Sequence, residues 1–320
     1  MKTFLARCLV GAKNCYSRIF SSERIMHSLT SDFRGQEASA FIAETVSADS
    51  ACMISRFGSV ELSAVLASYF KRKYSFLDNA VAYISGRRSQ FWLDDKIMKS
   101  MTNNAGFFPW SESLVERFAE LVIDDLKMID ILGAWIDYES QISHFLTGAK
   151  VVPLVDLEPY FHERPWSRAL KGKTVLIVHP FEDTIMSQYG KRARLFENPD
   201  VLPDFTIKTL KAVQSIAGTD VPFRDWFAAF DYMCERISCT VFDIALIGAG
   251  SYGLPLAAHV KRTGRTSVHL GGALQLMFGI KGRRWDDNPL VQKLYNDHWV
   301  RPGANEVPAG AMRVEGGCYW

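Results

Sequence analysis

Residues 241–270 read VFDIALIGAGSYGLPLAAHVKRTGRTSVHL. Residues 241–247 form a short continuous apolar run, the pattern of a strand buried on both faces. Six turn residues follow, Gly248-Ala249-Gly250-Ser251-Tyr252-Gly253, and then a helix through Lys261. Gly264 fits its C-terminal cap, and residues 266–270 (TSVHL) are the next strand. Strand, glycine turn, helix, strand is the grammar of an α/β protein with a mostly parallel sheet.

The same grammar recurs upstream. Residues 51–57 (ACMISRF) form an apolar strand stopped by Gly58. Leu62, Val65, Leu66 and Tyr69 then share one face of a helix that starts at Ser59. Residues 174–178 (TVLIV) predict another buried strand, and residues 81–85 (VAYIS) a shorter one. Residues 205–216 and 223–240 have the spacing of amphipathic helices. Ser113 and Glu116 form a capping-box pair ahead of a helix carrying Leu114, Phe118, Leu121, Val122, Leu126 and Ile129. Residues 103–110 (NNAGFFPW) suggest a turn with exposed aromatics, and the proline-punctuated residues 151–166 separate two halves. The expected fold is α/β, a Rossmann-like mostly parallel sheet with helices on both faces. An N-terminal helical extension over residues 1–48 precedes a single domain over residues 49–320.

Composition narrows the function. The chain has 320 residues, 48% hydrophobic and 22% charged, which are globular values. Lys and Arg number 37 against 35 Asp and Glu, too even for a dedicated nucleic-acid binder. Six cysteines at 8, 15, 52, 234, 239 and 318 form no CxxC pair and no zinc spacing, which suits a reducing cytoplasm. The first twenty residues are interrupted by Arg7, Lys13 and Arg18, so they read as an amphipathic helix with a weak peripheral membrane contact at the inner face.

In parallel sheets the chemistry sits at the carboxyl ends of strands, so the loops after 57, 178, 247 and 270 carry it. Gly248, Gly250, Ser251 and Tyr252 lie in a GxGxxG turn that suits phosphate at a helix N-terminus, or simply a tight turn. NAD is not expected, because the next strand ends His269-Leu270-Gly271-Gly272 with no carboxylate for a ribose. Arg56 offers a fork to a diphosphate beside Gly58 and Ser59. Glu61, in the first helical turn, can bind a sugar hydroxyl, a metal or a proton, or complement the helix dipole. His179 ends a strand as a candidate general base or hydrogen-bond donor. Gly271, Gly272, Gln275, Lys281, Arg283 and Arg284 suit an anionic ligand, with Trp285 placed to stack on a ring.

Three segments carry a resemblance: ISRFGSVEL at 54–62, VHPFEDTIMSQYGKR at 178–192, and ALIGAGSYGLPLAAHVKRTGRTSVHLGGALQLMFGIKGRRW at 245–285. Together they resemble the bacterial GT-D-type glycosyltransferase-related proteins of surface-polysaccharide biosynthesis, over roughly residues 50–320. The resemblance implies a Rossmann-like fold binding a nucleotide-sugar. It also implies an Asp-x-Glu motif after RFG that contacts a divalent metal, Mn or Mg. Here Ser59 stands in the Asp position and only Glu61 matches, a departure that puts metal use in question. The expected function is transfer of a sugar from a nucleotide diphosphate donor to a saccharide or lipid-linked acceptor. Glu61 and His179 would be catalytic. Arg56, Gly58, Ser59, the 248–252 turn and the 271–284 segment would hold the donor, with the diphosphate at the cations of 281–284. The alternatives are a SAM-dependent methyltransferase using the glycine turn and a non-catalytic saccharide-binding or scaffold member.

Overall fold

The structure, a computed structural model, describes residues 3–20 and 28–320. Residues 1–2 and 21–27 of the expected N-terminal extension lie outside the described residues. Among the described residues, seven strands form one sheet: β1 Met53–Ser55, β2 Ile131–Ala134, β3 Lys150–Pro153, β4 Thr174–His179, β5 Thr206–Lys211, β6 Ile244–Ile247 and β7 Thr266–His269. Their order is β3-β2-β1-β7-β6-β4-β5, and every pairing is parallel.

The principal helices are α1 Thr3–Ile19, α2 Gly35–Ser47, α3 Ser59–Lys73, α4 Phe76–Ile84, α5 Asp95–Asn103, α6 Glu112–Asp125, α7 Glu182–Tyr189, α8 Trp226–Ser238, α9 Gly253–Arg262 and α10 Ala273–Met277. They cover both faces of the sheet. Leu176, Val178, Ala245 and Ile247 point to one face and pack with α3, α6, α8 and α9. Val175, Ile177, Ile244 and Leu246 point to the other and pack with α2, α7 and α10. This alternation along fully buried strands is what made them continuous apolar runs in the sequence. Although α2 lies within residues 1–48, it contributes Ala38, Ile42, Ala43 and Val46 to the second core.

Several local expectations are corrected. Residues 81–85 belong to α4, not to a strand; the Ser75 hydroxyl caps that helix by accepting the Asp78 N–H at 3.1 Å. Five residues were too few to separate the two periods. Residues 205–216 contain strand β5 and no amphipathic helix. Thr206, Ile207 and Thr209 favour a strand, while Lys208 and Lys211 blunt this sheet edge. Strands β2 and β3 were not anticipated; β3 occupies the start of what read as a proline-rich separator. The cap of α6 is Ser111, two residues before the expected capping box. Within 103–110, Phe107 is buried against Trp226, whereas Trp110 is exposed as expected.

Candidate active site

The connection after β4 leads outward to β5 through α7, whereas that after β6 leads the opposite way to β7 through α9 on the other face. Right-handed crossovers that diverge in this way open a crevice at the strand carboxyl ends. A cavity of about 430 Å³ lies there, lined by all four loops expected to carry chemistry: 56–61, 179–181, 248–252 and 271–275.

Glycines let those strand ends approach one another. A Cβ on Gly248 would lie 2.7 Å from both the Gly271 carbonyl oxygen and the His179 ring. A Cβ on Gly58 would overlap the Glu61 carboxyl group, which folds back over that residue. Gly253 is required by His269, whose ring fills the space a side chain would take. Part of the glycine pattern is therefore packing, which the sequence alone did not separate from phosphate binding.

Arg56 sits at the cavity wall with its guanidinium 5.0 Å from the Trp135 ring. Its Nε is buried and finds no hydrogen-bond partner among the described residues. Burial lowers its pKa, against the opposing charges of Glu61, Tyr319 and Glu139. An arginine nevertheless stays protonated. Burial raises the Glu61 carboxyl above its ordinary value, opposed by its own backbone N–H and by Arg56. Glu61 is thus a carboxyl group of raised proton affinity beside the Arg56 cation.

His179 lines the cavity, but its environment fixes its part. The Phe181 backbone N–H donates to Nδ1 at 3.0 Å, so the neutral ring carries its proton on Nε2. Burial depresses its pKa to about 3. With the Nδ1 lone pair engaged, the group this ring has left to offer is its Nε2–H.

Other expected ligands are used within the protein. The Ser251 hydroxyl donates to the Ala105 carbonyl at 2.6 Å and accepts the Trp226 indole N–H at 2.9 Å. Tyr252 stacks on Trp226 with centroids 4.8 Å apart and meets the Ser215 hydroxyl at 3.2 Å. What this turn presents is its backbone. Gln275 Nε2 donates to the Tyr319 carbonyl at 3.1 Å, while its Oε1 is buried with no partner among the described residues. Gly271 lies beside Arg56, and Gly272 makes room for the Tyr319 ring.

The expected cationic cluster does not converge. Lys281 lies 4.9 Å over the Tyr295 ring and does not line the cavity. Arg283 is exposed and donates to the Gly316 carbonyl at 3.2 Å. Only Arg284 reaches the cavity, where it is ion-paired to Glu315. The reason lies in residues 314–320, which the expected site did not include and which place Glu315, Tyr319 and Trp320 in the cavity wall. Their one signal was the glycine pair before CYW; Glu315, Gly316 and Gly317 all take positive φ. Trp135 was also missed. Its indole N–H donates to the Phe57 carbonyl at 2.9 Å, and its backbone N–H is accepted by buried Glu139 at 3.2 Å.

The protein side chains by themselves do not complete a divalent-metal site at this cavity. Magnesium and similar cations are octahedral, and one or two carboxylates bind them together with waters and substrate phosphates. The carboxylates at the cavity are Glu61 and Glu315, the second already paired with Arg284 and the first facing Arg56. Among the described residues, no three His, Cys, Asp or Glu side chains gather as ligands.

No family model matches the chain, and no curated protein does. Two solved structures align with it at low similarity. One is a selenomethionine-substituted domain of unknown function 1792, with a TM-score of 0.35 and 12% identity over 75% of this chain and 78% of its own. The other is described as the highly conserved domain of unknown function 1792, with a distinct glycosyltransferase fold. It aligns at a TM-score of 0.36 and 12% identity, over 79% of this chain and 81% of its own. Likeness at this level assigns neither a residue nor a reaction, and the α/β fold stands on the chain's own sheet order.

Proposed function

We propose that the chain is a glycosyltransferase that moves a sugar from a nucleoside diphosphate donor to a saccharide or lipid-linked acceptor, in envelope or capsule polysaccharide assembly. The observation that carries this reading is Arg56, whose buried Nε has no hydrogen-bond partner among the described residues, in a glycine-lined cavity at the strand carboxyl ends. A diphosphate supplies the fork-matched oxygens that such a group lacks. The resemblance of residues 54–62, 178–192 and 245–285 to GT-D-type proteins supports the same class.

In this reading Arg56 and the backbone of Gly248, Gly250 and Gly271 bind the diphosphate, and His179 donates from Nε2. The acceptor hydroxyl oxygen attacks the anomeric carbon, the bond from that carbon to the phosphate oxygen breaks, and Glu61 takes the hydroxyl proton. The leaving nucleoside diphosphate carries away the bonding electron pair, its charge stabilised by Arg56. No step is routed through a metal. The acceptor enters by a second groove of about 350 Å³ that shares Ser59 and Val60 with the cavity. Ser63, Ser89, Gln90 and Tyr138 line this groove, a hydroxyl and amide surface suited to sugar hydroxyls.

Thermal shift with a panel of UDP-, GDP- and CMP-sugars, with and without manganese, tests the reading. A UDP- or GDP-sugar should stabilise the wild type, independently of manganese, whereas the monophosphate CMP-sugars should not, and Arg56→Met should lose about tenfold or more in affinity. Stabilisation by none of the panel would refute it. A non-catalytic, saccharide-binding role is the second reading, favoured by Ser59 in the Asp position. It predicts donor binding without donor hydrolysis, and hydrolysis lost in Glu61→Gln would exclude it.

A further inference from the structure

Helix α1 holds three basic residues, Arg7, Lys13 and Arg18, and no acidic one. The whole chain has a net charge of only +2, so all its other residues taken together are slightly acidic. One face of α1 turns inward: Leu9 is buried, and the Lys13 ammonium lies 4.3 Å over the Tyr83 ring of α4. On the opposite face Phe4, Cys8, Cys15 and Ile19 align at the helical period, with Gly11 and Ala12 between them and Leu5 beside them. Phe4 is 78% and Ile19 74% exposed, Leu5 is 40% exposed, and both cysteines are exposed free thiols. Arg7 and Arg18 flank one edge of this stripe. On α4, the helix beneath, Leu77 and Val81 are exposed one turn apart.

We infer that this α1 face docks on an anionic lipid bilayer surface, a property independent of the transfer reading above. An exposed apolar stripe edged by arginines matches the interface, where apolar side chains enter the acyl boundary and cations meet anionic headgroups. No helix among the described residues is long and apolar enough to cross a membrane, so α1 lies in the plane of the surface. A second copy is the poorer occupant. A two-fold contact through this stripe would bring Arg7 and Arg18 of both copies together with no acid on α1 to offset them.

Flotation of the chain with vesicles of phosphatidylcholine alone, or mixed with phosphatidylglycerol, tests this. The wild type should float with the anionic vesicles, less so as salt rises. The double variant Phe4→Ser/Ile19→Ser should lose about tenfold or more in partitioning. Arg7→Glu/Arg18→Glu should abolish the preference for anionic vesicles. All four residues are exposed, so the variants should keep wild-type thermal unfolding. The inference is overturned if the folded wild type floats with neither vesicle, or if the serine variant floats as the wild type does. It is also overturned if light scattering shows a dimer that the serine variant dissolves, which would assign the stripe to a second copy.

Discussion

At the scale of single residues, His179 and Glu139 carry opposite pH dependences. Burial holds the His179 pKa at about 3, against an ordinary 6.5. As pH falls through that window the unfolded chain binds the extra proton. The contribution of His179 to stability is therefore present above 6.5 and lost towards 3. Glu139 is buried, and its pKa is pushed up from 4.5 to about 7. There the folded chain holds the extra proton, so its contribution is present below 4.5 and lost as pH rises through 7. Urea unfolding at about pH 5 and about pH 7 separates the two, with changes of up to about 2 kcal/mol over that interval. Relative to wild type, His179→Gln should gain stability at the acid end. Glu139→Gln should gain it at the neutral end. Shifts of the same sign in both variants would contradict these environments.

At the scale of elements, the cavity depends on how closely strand ends approach. The ends of β4, β6 and β7 meet at Gly248, where an added methyl group would press on the Gly271 carbonyl and the His179 ring. Gly248→Ala should cost about 1–3 kcal/mol in equilibrium unfolding, the range for overpacking a tight site. An unaffected midpoint would show that the loops yield freely. The elements read correctly from sequence were those whose signal is local. Strands β4, β6 and β7 are buried on both faces, so their composition alone marks them. Strand β5 was misread because only Leu210 is buried along it, which leaves no apolar run. Strands β2 and β3 are four residues each and take their identity from pairing with β1 and with each other.

At the scale of the whole molecule, Trp226 joins segments far apart in the chain. It is fully buried and stacks on Tyr252 and Phe107, and its N–H reaches Ser251. Ser251 in turn bonds the Ala105 carbonyl, and Ser215 bonds that of Gly106. This unit backs the cavity, so Trp226→Ala should cost about 3–5 kcal/mol. Calorimetry that shows no lowered melting temperature would deny it that role.

The amino-acid sequence by itself determined the parallel α/β sheet and the four strand-end loops, because both rest on apolar runs and glycines within a few residues. It also brought Arg56 and Glu61 forward, as polar groups in the one place such sheets bind ligands. Only the tertiary structure decided which of the nominated groups remain available. Ser251, Gln275 and Arg284 are engaged by Trp226, Tyr319 and Glu315, and residues 314–320 contribute three side chains to the wall of a site built mainly by distant loops. Those partners lie tens of residues apart in the chain, and no periodicity records a hydrogen bond made over that distance.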